Sequence, residues 1–248
     1  MKKKSFLLIL SLVLAVSAAA FGTIAYLTDR ESITNTFSVG QINITLNETE
    51  INTSTNTPVY SPTDLDPNGN PIEGAVPQRT TQGNQYHLLP GQTYIKDPTV
   101  TLEKGGERSY VRMLVTLKGA SALKALYPEG FLPQNFVNGW DSSVWPCHQM
   151  IDYTTATPAQ DVILCEFRYV HTDGEPTVQP AADEDLVLDA LFDSITVPGD
   201  LTGADLQTLY EAGFEIKVYA QAIQSTMLET ADIAWAAFED QNGAIVLE

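Results

Sequence analysis

Histidine, cysteine and acidic residues are the side chains of this sequence that could hold a metal ion or act on a substrate. The three histidines, His87, His148 and His171, lie far apart in the sequence. There is no His-Glu-x-x-His motif, in which two imidazoles on one helical turn bind zinc and a glutamate activates water. The Gly-x-Ser-x-Gly motif of serine hydrolases is also absent. The pattern therefore predicts a protein that is not an enzyme and that needs no cofactor.

One acidic segment, TDLDPNGNPIEGA, is a weak candidate for calcium binding. Its oxygen-bearing side chains stand at alternate positions, as in the first half of a calcium-binding loop: Asp64, Asp66, Asn68 and Asn70. The bidentate glutamate that such a loop needs at its twelfth position is missing, since Ala75 stands there. Asp-Pro-Asn-Gly also forms a tight turn without a metal. The residues favour a plain hairpin tip and leave calcium open.

The two cysteines flank a predicted turn, TTATPAQD. Cys147 lies in CHQMIDY and Cys165 in VILCEFRYV. Period-two alternation places both sulfurs on the inward face of a hairpin. The residues leave open a disulfide, two buried free thiols, or a metal site that would use His148 or His171.

The N-terminus has the layout of a secretory signal. It begins MKKKSFLLILSLVLAVSAAAF, three lysines followed by an apolar run. Thr23 and Ala25 stand third and first before a possible cleavage point at Tyr26, and a cut after Ala20 is the alternative. The segment is also long enough to remain as a membrane anchor. In either case the leading lysines stay inside and the rest is exported.

The composition indicates one acidic folded domain after the signal. Lysine and arginine number 13 against 31 acidic residues, which argues against nucleic acid or anionic lipid as a partner. With 44% hydrophobic and 18% charged residues, the exported part has the make-up of a globular domain. We expect a signal peptide over residues 1–25, a single domain over 26–248, and membrane contact only through an uncleaved signal.

Alternating apolar residues predict strands through most of this domain. The inward positions of YVRMLVTLKG and FEIKVYAQAIQ are Val111, Met113, Val115 and Leu117, and Phe214, Ile216, Val218, Ala220 and Ala222. Between Phe37 and Leu46 the alternation switches at Gly40, which predicts a β-bulge within one strand. Residues 47–85 are rich in Thr, Asn and Pro and predict a polar insert without its own core. Half-buried strands with few short helices predict an all-β antiparallel sandwich.

Several blocks, in their order, resemble a known family. GTIAYLTD followed by TNTFSVGQINITL is similar to the start of TasA/camelysin-like proteins, exported by Gram-positive bacteria and cut by a dedicated SipW-type signal peptidase. LLPGQTYIKDPTV, YVRMLVT, ALFDSITVP and FEIKVYAQAIQ followed by AW continue the resemblance, which runs from residue 22 to residue 236. The insert and Gln92, where an acidic residue is expected, depart from the family.

The resemblance implies a jelly-roll-like sandwich and a place in the extracellular or biofilm matrix, or at the cell surface. In fibres of this family, the N-terminal segment of one subunit completes the sheet of the next by β-augmentation. Here that segment is 26–37, with Leu27, Ile33 and Phe37 as apolar plugs. The implied partners are the SipW-type peptidase and, head to tail, other copies or related matrix proteins. The same segment could instead be an edge strand of its own subunit.

Two other functions stay open at this point. Trp140 and Trp145, in NGWDSSVWP, could form the aromatic platform of a monomeric cell-surface binding or adhesion module, or they could simply close one end of the sandwich. Some camelysin-type relatives are described as metalloproteases, and the histidine pattern given above argues against that activity here.

Overall fold

The computed structural model describes residues 28–32, 35–37, 42–127, 132, 135 and 137–243, and for the two N-terminal ranges it describes the backbone. The predicted signal peptide and its cleavage residues Thr23, Ala25 and Tyr26 lie outside these ranges.

The described chain is built mainly from antiparallel strands. Their bounds are β1 Thr28–Ser32, β2 Asn35–Phe37, β3 Ile44–Thr49, β4 Ile51–Asn52, β5 Thr57–Pro58, β6 Arg79–Thr80, β7 Thr93–Ile95, β8 Thr99–Leu102, β9 Ser109–Lys118, β10 Val137–Asn138, β11 Cys147–Asp152, β12 Val162–Arg168, β13 Leu186–Val187, β14 Ser194–Thr196 and β15 Glu215–Gln224. Three α-helices join them: α1 Ala120–Ala125, α2 Gly203–Glu211 and α3 Ala231–Asn242. Short 3₁₀ turns span Pro62–Asp64 and Tyr153–Thr155.

Two sheets carry the core. The larger has the strand order β11-β12-β9-β15-β1-β2, and the smaller β13-β8-β3-β6. A three-stranded sheet β10-β14-β7 and the pair β4-β5 complete the fold. This confirms the predicted all-β antiparallel sandwich with a few short helices, whereas the jelly-roll connectivity stays a prediction.

The central strand β9 organises the larger sheet. It pairs along its whole length with β15, from Ser109↔Gln224 to Lys118↔Glu215, and on its other side with β12. The alternation predicted from the sequence is confirmed, because its inward residues lie in the main core with those of β15. The facing sheet contributes Ile44 and Leu46 from β3 and Val100 and Leu102 from β8.

Helix α3 covers part of the outer face of the larger sheet. Thr230 accepts a hydrogen bond from the backbone N–H of Ile233 and so caps the helix. Trp235 and Phe238 are buried in a second apolar cluster with Tyr110 and Ile223 of the sheet. The sheet is therefore buried on both faces near this helix.

The β-bulge predicted at Gly40 lies outside the described residues, but the single strand predicted across it is wrong. β2 belongs to the larger sheet and β3 to the smaller sheet, so the chain passes between sheets in this region. The switch in alternation from Phe37 to Leu46 marks a change of sheet. A β-bulge and a crossing between sheets cannot be distinguished from a single sequence. Both change which alternate residues of the segment are apolar.

The polar insert is tied to the smaller sheet by hydrogen bonds. Arg79 forms an ion pair with Asp97 and donates from Nε to the Oδ1 of Asn47 at 2.8 Å. Asp97 also accepts from the backbone N–H of Thr49 at 2.7 Å and from its hydroxyl at 2.8 Å. After β3, the strands described in segment 47–85 are only two residues long. Polar contacts, rather than a local apolar core, therefore hold this segment.

We predict that Met113→Ala lowers the free energy of unfolding by about 2–5 kcal/mol, because it leaves a cavity in the middle of the central strand. Met113 is 0% exposed, whereas Val187 on β13 is 63% exposed and supplies the control Val187→Ala. Urea unfolding followed by tryptophan fluorescence measures both. Equal midpoints for the two variants would contradict the assignment of β9 to the centre of the core.

Candidate functional site

The segment after the predicted signal lies at the rim of the larger sheet. β1 pairs antiparallel with β15 over five residue pairs, from Thr28↔Ile223 to Ser32↔Tyr219. β2 folds back and pairs with the other side of β1, from Ser32↔Asn35 to Arg30↔Phe37. In this structure the N-terminal hairpin therefore completes the sheet of its own subunit, which is the edge-strand arrangement that the sequence left open.

The predicted apolar plugs do not form the strand that pairs. Leu27 and Ile33 lie outside the described residues, and Phe37 lies in β2, one strand further out. The paired strand reads TDRES and contains no large apolar residue. Next to it, β15 offers the small residues Ala220 and Ala222, both 0% exposed. The backbone ladder, rather than large side chains of β1, thus makes this contact.

The β1 ladder covers only the second half of β15. The pairs between β1 and β15 end at Tyr219, so the first four residues of β15, 215–218, extend beyond them. A shallow depression lies beside this stretch, lined by Val218 of β15, Leu46 and Glu48 of β3, Pro98 and residues 80–82.

A buried charged cluster that was not predicted from the sequence lies on the outer face of the same sheet. Arg112 is 0% exposed, donates from Nε to Gln221 Oε1 at 2.9 Å, and stacks 4.3 Å from the ring centroid of Trp235. Its Nη1 lies 3.4 Å from Oε1 of Glu166 and 3.0 Å from Oε1 of Glu239. The signal was present in the sequence as charged residues inside the apolar strands YVRMLV and LCEFR.

Glu166 is the charged partner that balances two arginines in this cluster. It is 1% exposed and accepts hydrogen bonds from Arg168 Nε at 2.7 Å and from Gln149 Nε2 at 2.8 Å. Burial alone would raise the pKa of Glu166, but the hydrogen bond from Arg168 and the charges of Arg112 and Arg168 outweigh it, and the pKa is lowered. The cluster joins β9, β12 and β15 to α3 and fits a structural role.

The two cysteines lie diagonally across the β11–β12 hairpin. Cys147 pairs with Phe167, and Cys165 pairs with Met150, after a bulge between Cys147 and Gln149. Cys165 lies in the main core and Cys147 packs partly buried against it, so both are on the inward side, as predicted. Both are free thiols in this structure, and the disulfide alternative stays a prediction.

The calcium candidate forms a compact turn. Asp66 Oδ1 accepts hydrogen bonds from the backbone N–H groups of Asn68 at 2.9 Å and Asn70 at 2.8 Å. The backbone hydrogen bond from Asn70 is the largest cause of a lowered pKa of Asp66. Asp64 accepts, through its carbonyl, from the N–H of Ile72. The carboxylate of Asp66 thus organises the turn, and calcium binding here stays a prediction.

The tryptophans of NGWDSSVWP are not an exposed platform. Trp145 is 0% exposed, donates from Nε1 to the carbonyl of Asp189 at 2.9 Å, and meets Tyr169 edge to face at 4.9 Å. Trp140 donates from Nε1 to the carbonyl of Trp145 at 2.8 Å and packs on Phe167. The idea of an aromatic platform is therefore corrected, because both indoles are used to build the core.

A model of the family described as camelysin metallo-endopeptidase matches residues 1–60. Over these residues the chain is TasA/camelysin-like. The match includes the predicted signal, the hairpin β1–β2 and the following strands β3, β4 and β5. No curated protein and no solved structure matches the chain. The camelysin-like N-terminal region is consistent with an exported protein of the matrix type. Within the part of the chain that the structure describes, no helix is long and apolar enough to span a membrane.

The described residues do not fit the metal site that the name of the camelysin family implies. His87 precedes β7, His148 lies in β11, and His171 follows β12. His171 Nδ1 lies 2.9 Å from Asp173 Oδ1, and His148 Nε2 lies 4.0 Å from Asp232 Oδ1. No group of three or more His, Cys, Asp or Glu residues among those described is arranged to hold a metal ion. The absence of enzymatic activity stays a prediction.

We predict that Glu166→Gln lowers the free energy of unfolding at pH 7 by about 1.5–3 kcal/mol, because it removes the buried carboxylate that Arg112 and Arg168 share. Arg112 keeps the more exposed carboxylate of Glu239, and Arg168 keeps that of Asp232. The folded pKa of Glu166 lies below its ordinary value of 4.5, so this contribution is present above that pH and is lost as the pH falls through the folded pKa. The difference between wild type and variant should shrink with acidification.

Urea titrations at a series of pH values measure this difference, with Glu184→Gln on the exposed acidic stretch as the control. A difference that is independent of pH would mean that the charge of Glu166 is not what stabilises the cluster.

We predict that iodoacetamide labels Cys147 well before Cys165 in the folded protein. Burial raises the pKa of Cys165 to about 12, and burial also raises that of Cys147, which is less enclosed. Intact mass after unfolding in alkylating agent without reductant should show two labels. If no label is taken up until a reductant is added, Cys147 and Cys165 form a disulfide, and the prediction of two free thiols is wrong.

Proposed function

We propose that this chain is an exported structural protein of the extracellular matrix, whose copies join head to tail. In the assembly, the hairpin β1–β2 of one copy would pair with β15 of the next copy instead of with its own. The observation that carries this proposal is that the strand directly after the predicted cleavage point forms part of the rim of the larger sheet.

The position of the hairpin in the chain makes it suited to exchange. β1 and β2 are the first described strands, and residues 38–43 connect them to β3 in the other sheet. An element at the end of a chain can leave its own subunit and make the same contacts in a neighbour, as in domain swapping. No new surface is needed, since the closed subunit already contains both halves of the contact.

The composition of β1 keeps the cost of release low. Because TDRES contributes no large apolar side chain, the contact with β15 depends on backbone hydrogen bonds. Each contributes about 0.5–1.5 kcal/mol net, less than a buried Leu or Phe would cost to expose. Separation of β1 from β15 would therefore expose no large apolar side chain of β1.

Head-to-tail exchange of this kind produces a filament, whereas reciprocal exchange between two copies would close a dimer. The donating hairpin and the accepting edge of β15 are different surfaces, so each copy that receives a hairpin still has its own to donate. Cleavage of the signal by a SipW-type peptidase would free the leading segment outside the cell of a Gram-positive bacterium. Related matrix proteins with a similar edge would be further partners.

We predict that cysteines placed across the β1–β15 pairing will link neighbouring copies. Ser32 is paired with Tyr219, so Ser32→Cys with Tyr219→Cys can form a disulfide within or between chains. The native cysteines are replaced by Cys147→Ser and Cys165→Ala, and the chain starts at Tyr26. After assembly and oxidation, a non-reducing gel should show a ladder of covalent multimers.

The matched control carries Ser32→Cys alone and can give nothing larger than a covalent dimer. If the double variant gives only an internally linked monomer, the hairpin stays in its own subunit and the proposed exchange is wrong.

A second experiment distinguishes a fibre subunit from a monomeric binding module. Light scattering compares two forms of the wild-type sequence, one that starts at Tyr26 and one that starts at Ile42. We expect large assemblies from the first and monomers from the second, and monomers from both would favour the binding module.

A further inference from the structure

A lysine and a glutamate form a buried ion pair where the polar insert meets the smaller sheet. Lys96 Nζ lies 2.7 Å from Glu48 Oε2, and each side chain is 6% exposed. Lysine is rarely buried to this extent, and the cost of removing both charges from water often exceeds the attraction between them. Apolar pairs of similar volume are often at least as stable as buried ion pairs, so we ask what chemistry these two charges could perform.

An asparagine amide occupies the other oxygen of the same carboxylate. Asn84 Nδ2 donates to Glu48 Oε1 at 2.8 Å, and the backbone N–H of Asn84 donates to the same oxygen at 3.1 Å. Glu48 therefore lies between an amine and an amide, with one oxygen directed at each. This is the arrangement in which one carboxyl group can move a proton from an attacking amine to a leaving group.

The amide carbonyl of Asn84 is also held by a donor. Its Oδ1 accepts a hydrogen bond from the backbone N–H of Ile51 at 3.0 Å. A fixed N–H at this oxygen stabilises the negative charge that develops when a nucleophile adds to the carbonyl carbon. The same amide donates from Nδ2 to the carbonyl of Thr49 at 2.8 Å, which fixes its orientation.

Aromatic rings shield the site from water. Tyr86 and Tyr94 meet edge to face with centroids 5.7 Å apart, and the Tyr86 hydroxyl donates to the carbonyl of Ile95 at 2.7 Å. Burial, and after it the Glu48 carboxylate, raises the pKa of Tyr86, so the phenol stays neutral. Passage of one proton from Lys96 to Glu48 would leave two uncharged groups in place of two buried charges.

We propose that Lys96 and Asn84 become joined by an isopeptide bond, with Glu48 as the group that transfers the protons. The ammonium group of Lys96 gives one proton to Glu48 and becomes a neutral amine. The amine attacks Cγ of Asn84, and the Nζ–Cγ bond forms. The backbone N–H of Ile51 stabilises the negative charge on the amide oxygen. A second proton passes from the attacking nitrogen through the carboxyl group to Nδ2. The Cγ–Nδ2 bond then breaks and ammonia leaves.

The reaction balances without any other reagent. The five hydrogens on the ammonium and the amide end as three on ammonia, one on the new amide nitrogen and one on Glu48. The total charge is zero before and after, and no oxidant or reductant is involved. The product replaces a buried ion pair by a neutral amide and an uncharged acid, which removes the desolvation cost of both charges.

The bond would close a loop from residue 84 to residue 96 at the base of the insert. Asn84 ends the polar insert, and Lys96 follows β7 directly. Closing a loop covalently stabilises the folded chain, mainly by restricting the unfolded one. The site belongs to the body of the subunit, so it does not depend on the proposed assembly.

Mass spectrometry of the purified full-length or processed protein tests the bond directly. We expect an intact mass one ammonia lower than the sequence requires. Trypsin cleaves after Arg79 and Lys104, and a modified Lys96 resists cleavage, so residues 80–104 should appear as one peptide without backbone fragments between Asn84 and Lys96. A full sequence mass with normal cleavage after Lys96 would overturn the proposal.

Loss of ammonia with normal cleavage after Lys96 would also overturn it, because that result indicates a succinimide at an asparagine. Glu48→Gln removes the proton carrier and should restore the full mass of the variant and cleavage after Lys96. The matched control is Glu103→Gln, since Glu103 accepts from the amide of Asn43 at a site without lysine. This control should keep the ammonia loss, and its disappearance there would contradict the role given to Glu48.

Discussion

The antiparallel ladder between β9 and β15 is the contact on which the other parts of the structure depend. It is ten residue pairs long and lies in the middle of the larger sheet. Its inward side chains meet the smaller sheet and form the main core, while its outward side chains contact α3 and the Arg112 cluster. Because β15 lies near the end of the described chain, the larger sheet combines strands from nearly the whole of that chain.

The same ladder leaves one side of β15 to be covered by the N-terminal hairpin. A strand with a free edge exposes unpaired N–H and C=O groups, which favour addition of another strand. In this protein the edge is covered by a segment that carries charges and no large apolar residue. In the proposed exchange this composition suits a contact that forms reversibly, because the main chain of β1 offers its hydrogen bonds without large apolar side chains to expose.

Much of the fold could be predicted from the sequence, because period-two alternation is strong in β9, β15 and β8. The capping residue Thr230 was also recognisable, since a threonine before an apolar run satisfies the first N–H groups of a helix. The change of sheet after Phe37 could not be recognised, because a bulge and a crossing give the same pattern. The contacts of Glu48 with Lys96 and Asn84 join residues up to 48 positions apart, and only the folded structure brings them together.

The contact between β1 and β15 has a consequence for selectivity. Because it is made through the main chain beside Ala220 and Ala222, it places few demands on the identity of the incoming residues. In the proposed assembly, β15 would accept leading segments with quite different sequences, provided that they are extended and not bulky on the inward side. A matrix built in this way would tolerate mixed composition and rapid divergence of the exchanged segment, while the alanines that receive it would be constrained to remain small.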